Sequence, residues 1–273
     1  MSNLAKRIGT AAVLVPIIVV AIYLDPSPWA MTAVAALVAM VSLDEYLRMA
    51  LPVSEQDPAW LLRGVCALLA AALVALPIAY SPGVVFGPVL TAGTLAVGMA
   101  TLARPKALPN AGRHMGVCLS GLLYVPLLMS ALPQLKVAGH AHWVTLTLCM
   151  AFFSDTVAYF FGRAFGKHKL YEAVSPNKTI QGSFGGVLGA CLATVGVGHF
   201  WLTPELPVSH AVVLGIVGSA AGQVGDLVES MIKRTFGAKD SSNLLPGHGG
   251  MLDRIDAMLF VAPVTFYYLW LVG

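Results

Sequence analysis

The chain has 273 residues, of which 58% are apolar and only 11% are charged, with a formal net charge of +3. An ordinary soluble domain carries about 45–50% apolar and about 25% charged residues. This chain has too few charges to cover a water-exposed surface of that size, so its composition excludes an ordinary soluble protein and favours one that faces lipid.

Nine apolar stretches approach the length that a helix needs to cross a bilayer, about 17–25 residues. In chain order they are residues 8–24, 29–47, 59–80, 83–103, 113–133, 142–163, 182–203, 208–229 and 251–271. A chain inside lipid has to satisfy its own backbone hydrogen bonds, and strand-like alternation is absent, so these segments are predicted to be helices. We therefore expect an all-α integral membrane protein, a polytopic bundle of about nine transmembrane helices.

The basic residues predict the orientation of the bundle. Fifteen of the sixteen Lys and Arg residues lie at the N-terminus or in and beside the loops after the second, fourth, sixth and eighth spans. They are Lys6, Arg7, Arg48, Arg63, Arg104, Lys106, Arg113, Arg163, Lys167, Lys169, Lys178, Lys233, Arg234, Lys239 and Arg254. Only Lys136 lies after the fifth span. Because basic residues accumulate in cytoplasmic loops, the N-terminus is predicted to be cytoplasmic and the C-terminus periplasmic or external.

The polar residues divide the chain into two predicted regions. Residues 1–133 have short connections and no evident site, so we interpret them as N-terminal transmembrane helices with a structural or dimerisation role. Residues 134–273 are interpreted as a C-terminal transmembrane catalytic region, since they contain two long cytoplasmic loops, 164–181 and 230–250, that are rich in polar residues. The four cysteines are isolated in apolar runs, which favours buried thiols over a zinc site.

The stretch from Gly225 to Asp256 has the most informative charge pattern. On a helix, Asp226, Glu229, Ser230 and Lys233 lie at i, i+3, i+4 and i+7, and therefore share one face. Near-membrane ionisable groups in such a number are functional more often than structural.

Asp253 and Asp256 lie three residues apart at the start of the ninth span and also share a face. Carboxylates from two helices are thus predicted to converge at the membrane surface. Oxygen ligands without a Cys or His cluster suit Mg²⁺, which typically binds one or two carboxylates, waters and substrate phosphates. The candidate metal ligands are Asp226, Asp240, Asp253 and Asp256.

Cations surround these carboxylates, as a polyphosphate ligand requires. The candidate catalytic residues are Lys233, Arg234, Lys239, His248 and Arg254. Glycines beside His248 let the backbone approach a ligand and present N–H groups to an anion. Ser230, Gly249 and Gly250 are therefore candidate substrate-binding residues.

A second polar group begins with Asp155, which lies inside the apolar sixth span and should face the bundle interior with a partner. Lys178 is either that partner or a residue that holds a phosphate. The candidate substrate-binding residues in this group are Ser154, Asp155, Lys167, Ser175, Asn177, Lys178 and Thr179. Glycines at small-xxx-small spacing follow in two series, and they predict close helix packing. The series are Gly182, Gly185, Gly186 and Gly189, and Gly215, Gly218, Gly222 and Gly225.

These residues form a long pattern that resembles the signature of phosphatidate cytidylyltransferases. The pattern reads Ser230-x-Ile232-Lys233-Arg234, then Lys239-Asp240-x-Ser242, then Leu245-Pro246-x-His248-Gly249-Gly250-Met251-x-Asp253-Arg254-Ile255-Asp256. The stretch from Ser154 to Gly186 is similar to a second region of that family, except that Gln181 stands where a glutamate is expected. The resemblance extends from about residue 150 onward, and no role is assigned to Gln181.

The resemblance implies an enzyme of phospholipid biosynthesis that converts CTP and phosphatidate to CDP-diacylglycerol and pyrophosphate. It implies Mg²⁺ and a monovalent cation such as K⁺ as cofactors, and it favours Asp226 and Asp253 as metal ligands. It further implies a homodimer in the bacterial cytoplasmic (inner) membrane, with its site at the cytoplasmic face and no nucleic-acid partner.

Two other functions fit some of the same features. A CTP-dependent lipid kinase of the dolichol- or phytol-kinase kind would also bind CTP and a lipid, but it would transfer the γ-phosphoryl group. This lipid kinase activity is the alternative to the cytidylyltransferase activity. A transporter would place charges at mid-membrane within an inverted repeat, and neither feature is visible here.

Overall fold

The computed structural model describes residues 3–51 and 59–272, with their side chains except those of residues 3–8 and 105–107. The side chains of Lys6, Arg7 and Lys106, which contribute to the predicted orientation, lie outside this set. The chain divides into two compact units, one made of Met1–Gln134 with Asp240–Arg254 and the other of Leu135–Lys239 with Ile255–Gly273. The first unit therefore includes part of a loop that the sequence assigns to the C-terminal region.

The first unit is a bundle of apolar helices. They are α1 (Asn3–Val19), α2 (Trp29–Ala50), α3 (Trp60–Ala79), α4 (Pro82–Leu102) and α5 (Ala111–Leu122). The α2 helix packs against α3 and α5, and α3 packs against α4. The carboxylate of Asp25 lies just before α2 and accepts hydrogen bonds from the backbone N–H groups of Ser27 (2.9 Å) and Ala30 (3.0 Å). The bond to Ala30 satisfies a donor that the first turn of α2 leaves unpaired.

The second unit holds the remaining long helices. These are α6 (Ala131–Phe165), whose first residues belong to the first unit, then α7 (Ile180–Trp201), α8 (Val208–Thr235) and α10 (Met258–Val272). A short helix, α9 (Leu252–Ile255), precedes α10. The α8 helix packs against both α7 and α10.

The glycine series allow these helices to approach closely. A Cβ atom at Gly189 of α7 would lie 2.5 Å from the backbone oxygen of Phe153, and one at Gly225 of α8 would lie 2.6 Å from the backbone oxygen of Asp256. Real Cβ contacts are not that short, so larger residues would force the helices apart. The structure confirms that these glycines serve helix packing.

A small antiparallel hairpin occupies the predicted loop 164–181. Its strands are β1 (Lys169–Tyr171) and β2 (Ser175–Thr179), with Lys169 opposite Thr179 and Tyr171 opposite Ser175. The sequence does not predict this hairpin, because strands of three and five residues are too short to show a clear alternation. Thr179 ends β2 and caps α7, since its Oγ1 accepts the Gly182 N–H at 3.1 Å.

Seven helices in the described ranges are long and apolar enough to cross a membrane, which agrees with a polytopic all-α membrane protein. A shorter apolar helix, Gly9–Leu24, corresponds to the predicted first span. The segment Leu108–Phe165 has 58 residues and covers the two predicted spans 113–133 and 142–163. Its backbone leaves helical geometry at His140 (φ 65°), within the predicted connection between them. The total of nine spans and the orientation stay predictions.

Candidate active site

An ion pair joins Lys178 and Asp226 in the second unit. Lys178 comes from β2 and Asp226 from α8, and both side chains are partly exposed. Ser230, one turn further along α8, donates from Oγ to Oδ1 of Asp226 at 3.4 Å. The predicted helix face is therefore present, and Lys178 has a carboxylate partner on it.

Asp256 adds a second carboxylate to this group. It lies in the break between α9 and α10, where its Oδ1 accepts the Ala257 N–H at 2.7 Å. Its backbone packs against α8 beside Asp226, since a Cβ atom at the adjacent Gly225 would lie 2.6 Å from the Asp256 backbone oxygen. The second unit thus brings the residues Asp226 and Asp256 near each other, and carboxylates are the ligands that Mg²⁺ takes from proteins.

Lys233 and Glu229 form another ion pair one turn apart on α8, at 2.6 Å. The Glu229 side chain is only 1% exposed and that of Lys233 only 12%, so most of this pair is removed from solvent. The neighbouring Arg234 is exposed and donates to the backbone oxygen of Ala238 at 3.2 Å, which satisfies a carbonyl just beyond the end of α8. Lys239 follows in an exposed position.

Several predicted substrate-binding residues have structural partners. The Ser154 hydroxyl is buried and bonds to that of Ser219 at 2.8 Å, which joins α6 to α8. Ser175 is half-buried in β2, whereas Lys167 and Asn177 are exposed. The substrate contacts predicted for these residues, and for Asp155 and Thr179, stay predictions.

Gln181 has a clear structural role that the sequence did not indicate. Its Oε1 accepts the backbone N–H groups of Lys167 at 3.0 Å and His168 at 3.2 Å. Its Nε2 lies 3.0 Å from Nδ1 of His168, to which it donates when that nitrogen carries no proton. One side chain in the first turn of α7 therefore holds the segment that leads into the hairpin.

The first unit contains the other part of the signature, in a glycine-rich loop (residues 240–251) that leads into α9. Oδ2 of Asp253 accepts three hydrogen bonds: from N of Ser241 at 3.0 Å, from Oγ of Ser241 at 3.0 Å and from N of Gly250 at 2.8 Å. Gly249 adopts φ +80°, a conformation that favours glycine. These contacts fold the loop onto Asp253.

Three more predicted site residues lie in or beside the glycine-rich loop. Asp240 and Arg254 are exposed. The backbone N–H of His248 donates to the oxygen of Leu245 at 2.8 Å, and its ring is half-buried. Within the described ranges the buried Nδ1 atom of His248 has no hydrogen-bond partner.

Glu45 of α2 is not among the predicted site residues, yet its buried carboxylate accepts hydrogen bonds from both ends of the glycine-rich loop. The signal that would have indicated it is its charge. A carboxylate inside a largely apolar membrane span is expected to have a partner and a function.

The donors available suit Mg²⁺ rather than a metal with an all-protein ligand cage. Within the described residues no group of three or more His, Cys, Asp or Glu side chains is placed to hold a metal ion. Mg²⁺ needs fewer protein ligands, since it keeps several waters and takes one or two carboxylates together with substrate phosphates. Asp226 of α8 and Asp256, whose backbone packs against α8 at Gly225, are two carboxylates that fit this requirement.

Comparisons with known proteins show the family to which this chain is similar. A family model described as the cytidylyltransferase family matches residues 5–272. Curated relatives named phosphatidate cytidylyltransferase include one from Staphylococcus epidermidis, 42% identical over 147 residues, which is 54% of this chain and 56% of the relative. The relative from Staphylococcus haemolyticus is 45% identical over 123 residues, 45% of this chain and 47% of the relative. The one from Staphylococcus aureus is 39% identical over 149 residues, with 54% and 56% covered. The chain spans about half the length of the curated relatives it matches.

The contacts of Gln181 give a prediction that needs no substrate. Gln181→Ala removes the acceptor for two backbone N–H groups, so the amides of Lys167 and His168 should exchange their hydrogens about tenfold faster, as expected for the loss of a net hydrogen bond. Gln181→Glu keeps the acceptor and should exchange nearly as the wild type does. Hydrogen exchange followed by mass spectrometry on the segment 164–171 distinguishes the two. If the Lys167 and His168 amides of Gln181→Ala exchange at the wild-type rate, Gln181 does not hold this segment.

Proposed function

Because this chain belongs to the cytidylyltransferase family, we propose that it transfers the cytidylyl group of CTP to phosphatidate, giving CDP-diacylglycerol and pyrophosphate. The observation that carries the proposal is the group in the second unit made of Lys178, its ion-pair partner Asp226, and Asp256, whose backbone packs against α8 beside Asp226. It combines the carboxylates that a phosphate-bound Mg²⁺ needs with a cation that can bind a phosphate.

The chemistry of the substrates explains the types of residue present. Phosphatidate carries a phosphate monoester, which is largely a dianion at neutral pH and needs no general base to become a nucleophile. One of its oxygens forms a bond to the α-phosphorus of CTP, and the bond from that phosphorus to the bridging oxygen of the β-phosphate breaks to release pyrophosphate. The barrier to this reaction comes mainly from charge repulsion and alignment, so positioned cations contribute most of the catalysis.

The side chains of this chain have the following proposed roles. Lys178 and Lys233 exchange their carboxylate partners for substrate phosphates, and Arg234 and Lys239 neutralise further phosphate charge. The catalytic role of Arg254, which belongs to the first unit, stays a prediction. Asp226 and Asp256 would hold Mg²⁺, which would offset negative charge on the triphosphate. Asp240 and Asp253 belong to the first unit, and their role as metal ligands stays a prediction, as does the K⁺ site.

The location of the reaction follows from its substrates. CTP is cytosolic and the phosphatidate head group lies at the bilayer surface, so we place the reaction at the cytoplasmic face of the bacterial cytoplasmic membrane. Nine spans with a cytoplasmic N-terminus and an external C-terminus fit that placement, because both polar loops then face the cytoplasm. A homodimer is part of the same proposal.

The experiment that tests the reaction uses CTP labelled with ³²P at either the α or the γ position. With purified protein in detergent, phosphatidate and Mg²⁺, α label should enter the lipid product and γ label should leave as pyrophosphate. Label from the γ position in the lipid would instead establish the lipid-kinase alternative. A reaction without phosphatidate provides the blank.

The metal proposal predicts large losses from conservative substitutions. Asp226→Asn and Asp256→Asn keep the side-chain volume but remove a charge, and each should lower turnover by orders of magnitude, since metal stabilisation of a developing charge contributes several kcal/mol. Glu172→Gln is the matched control, because Glu172 is an exposed carboxylate of the same unit and should retain activity. If both aspartate variants keep more than about a tenth of the rate at saturating Mg²⁺, equivalent to only about 1.4 kcal/mol, they are not ligands.

The topology predicts opposite accessibility for two exposed positions. In a variant whose four native cysteines are replaced by alanine, Asn243→Cys should react with a membrane-impermeant thiol reagent only after permeabilisation. Glu205→Cys, in the connection predicted to be external, should react in intact spheroplasts. Labelling of position 243 from outside would contradict the nine-span topology.

A further inference from the structure

Glu45 lies inside α2 with only 4% of its surface exposed, and four donors point at its carboxylate. Oε1 accepts from Oγ of Ser242 at 2.6 Å and from N of Met251 at 2.9 Å. Oε2 accepts from Oγ of Ser241 at 2.9 Å and from N of Leu252 at 2.8 Å. A buried carboxylate is costly unless hydrogen bonds compensate for the lost water, and these four bonds provide that compensation.

Three of the four donors come from the two ends of the glycine-rich loop and the fourth, Leu252, is the first residue of α9, all about 200 residues from Glu45 in sequence. Ser241 connects this contact to Asp253, because its hydroxyl lies 2.9 Å from Oε2 of Glu45 and 3.0 Å from Oδ2 of Asp253. The hydroxyl has one proton, so the two carboxylates share a single donor. The position of Asp253 thus depends on Glu45 through Ser241.

Gly250 shows how closely this loop is held. A Cβ atom at Gly250 would lie 2.6 Å from Oε2 of Glu45 and would overlap the Ser241 hydroxyl. The N–H of Gly250 also donates to Asp253. The close approach of the backbone to Glu45 therefore requires glycine at this position, whether or not Gly250 also binds a ligand.

We infer that Glu45 is a positioning residue, which fixes the conformation of the glycine-rich loop and through it the orientation of Asp253. The inference rests on the proposed function for its catalytic consequence, since the loop and α9 hold His248, Asp253 and Arg254. It gives the N-terminal helices a part in the reaction, although they were expected to be structural.

The neighbouring residue provides a matched control. Asp44 accepts from Nε of Arg63 at 2.5 Å and from Nε of Arg48 at 2.8 Å, and none of its partners belongs to the loop. Asp44→Asn and Glu45→Gln are therefore equivalent changes on consecutive residues of one helix. Only the second should affect the loop.

The first measurement is hydrogen exchange on the substrate-free, metal-free protein in detergent. In Glu45→Gln an amide nitrogen replaces one oxygen, so that a buried backbone N–H of Met251 or Leu252 faces another donor. Exchange at that amide should accelerate about tenfold or more, with no change in Asp44→Asn. Unchanged exchange in a folded Glu45→Gln protein overturns the inference, whatever reaction the protein catalyses.

The second measurement is steady-state kinetics with CTP and phosphatidate. A displaced Asp253 should lower kcat by about 10–100-fold, with a change in KM for CTP of less than about threefold, because positioning affects the transition state more than binding. Asp44→Asn should stay within about twofold of the wild type. Raised exchange with wild-type kcat overturns the positioning role.

Two further outcomes are also decisive. If Glu45→Gln fails to fold, Ser242→Ala is tested instead, because it removes one of the same hydrogen bonds from the loop side. It should accelerate hydrogen exchange in the loop and lower kcat, as expected for Glu45→Gln. Wild-type exchange together with wild-type kcat overturns the inference. If the wild type makes no CDP-diacylglycerol, the proposed function fails and the catalytic role of Glu45 fails with it. The exchange result still decides whether Glu45 holds the loop.

Discussion

The constraint on which this structure depends is that a charge removed from water needs a partner of opposite charge or a full set of hydrogen bonds. A chain with few charged residues and many apolar spans has little opportunity to satisfy that need at random. Within the described part of the chain, Glu229 is paired with Lys233, Asp226 with Lys178, and Glu45 with four donors. The Lys178–Asp226 pair joins β2 to α8, and the Glu45 hydrogen bonds join α2 to the glycine-rich loop and α9, whereas the Glu229–Lys233 pair lies within α8.

The ion pairs bear directly on the proposed reaction. Lys178 and Lys233 are each bonded to a carboxylate in the substrate-free protein. If either lysine holds a substrate phosphate, as we propose, that phosphate would replace the carboxylate as its partner. The Asp226 carboxylate would then be free to hold Mg²⁺, which suits carboxylate and phosphate oxygens.

The loop that carries much of the signature is held by residues outside the signature. Ser241 bonds to both Glu45 and Asp253, so a carboxylate of α2 and a carboxylate of α9 share one loop hydroxyl. Gly250 bonds to Asp253, and a Cβ atom on it would lie only 2.6 Å from Oε2 of Glu45. Gln181 has a comparable role in the second unit, where it holds the segment before the hairpin. Glu45 and Gln181 each hold a polar segment of the chain through hydrogen bonds to its backbone.

The sequence by itself determined the class of the protein, the approximate position of its helices and the stretches where its charges gather. Hydropathy and helical spacing are properties of neighbouring residues, so the face of α8 that carries Asp226 and Ser230, and the glycines that permit close packing, were predictable. The tertiary structure alone decided which partner each charge takes. Lys178 was expected to pair with Asp155 or to hold a phosphate, and the structure pairs it with Asp226; its phosphate role stays a prediction. Glu45 had no predicted role, and its contact with a loop 196 residues away became visible only in the fold. Spacing along the chain does not report such contacts, because they depend on how the helices pack.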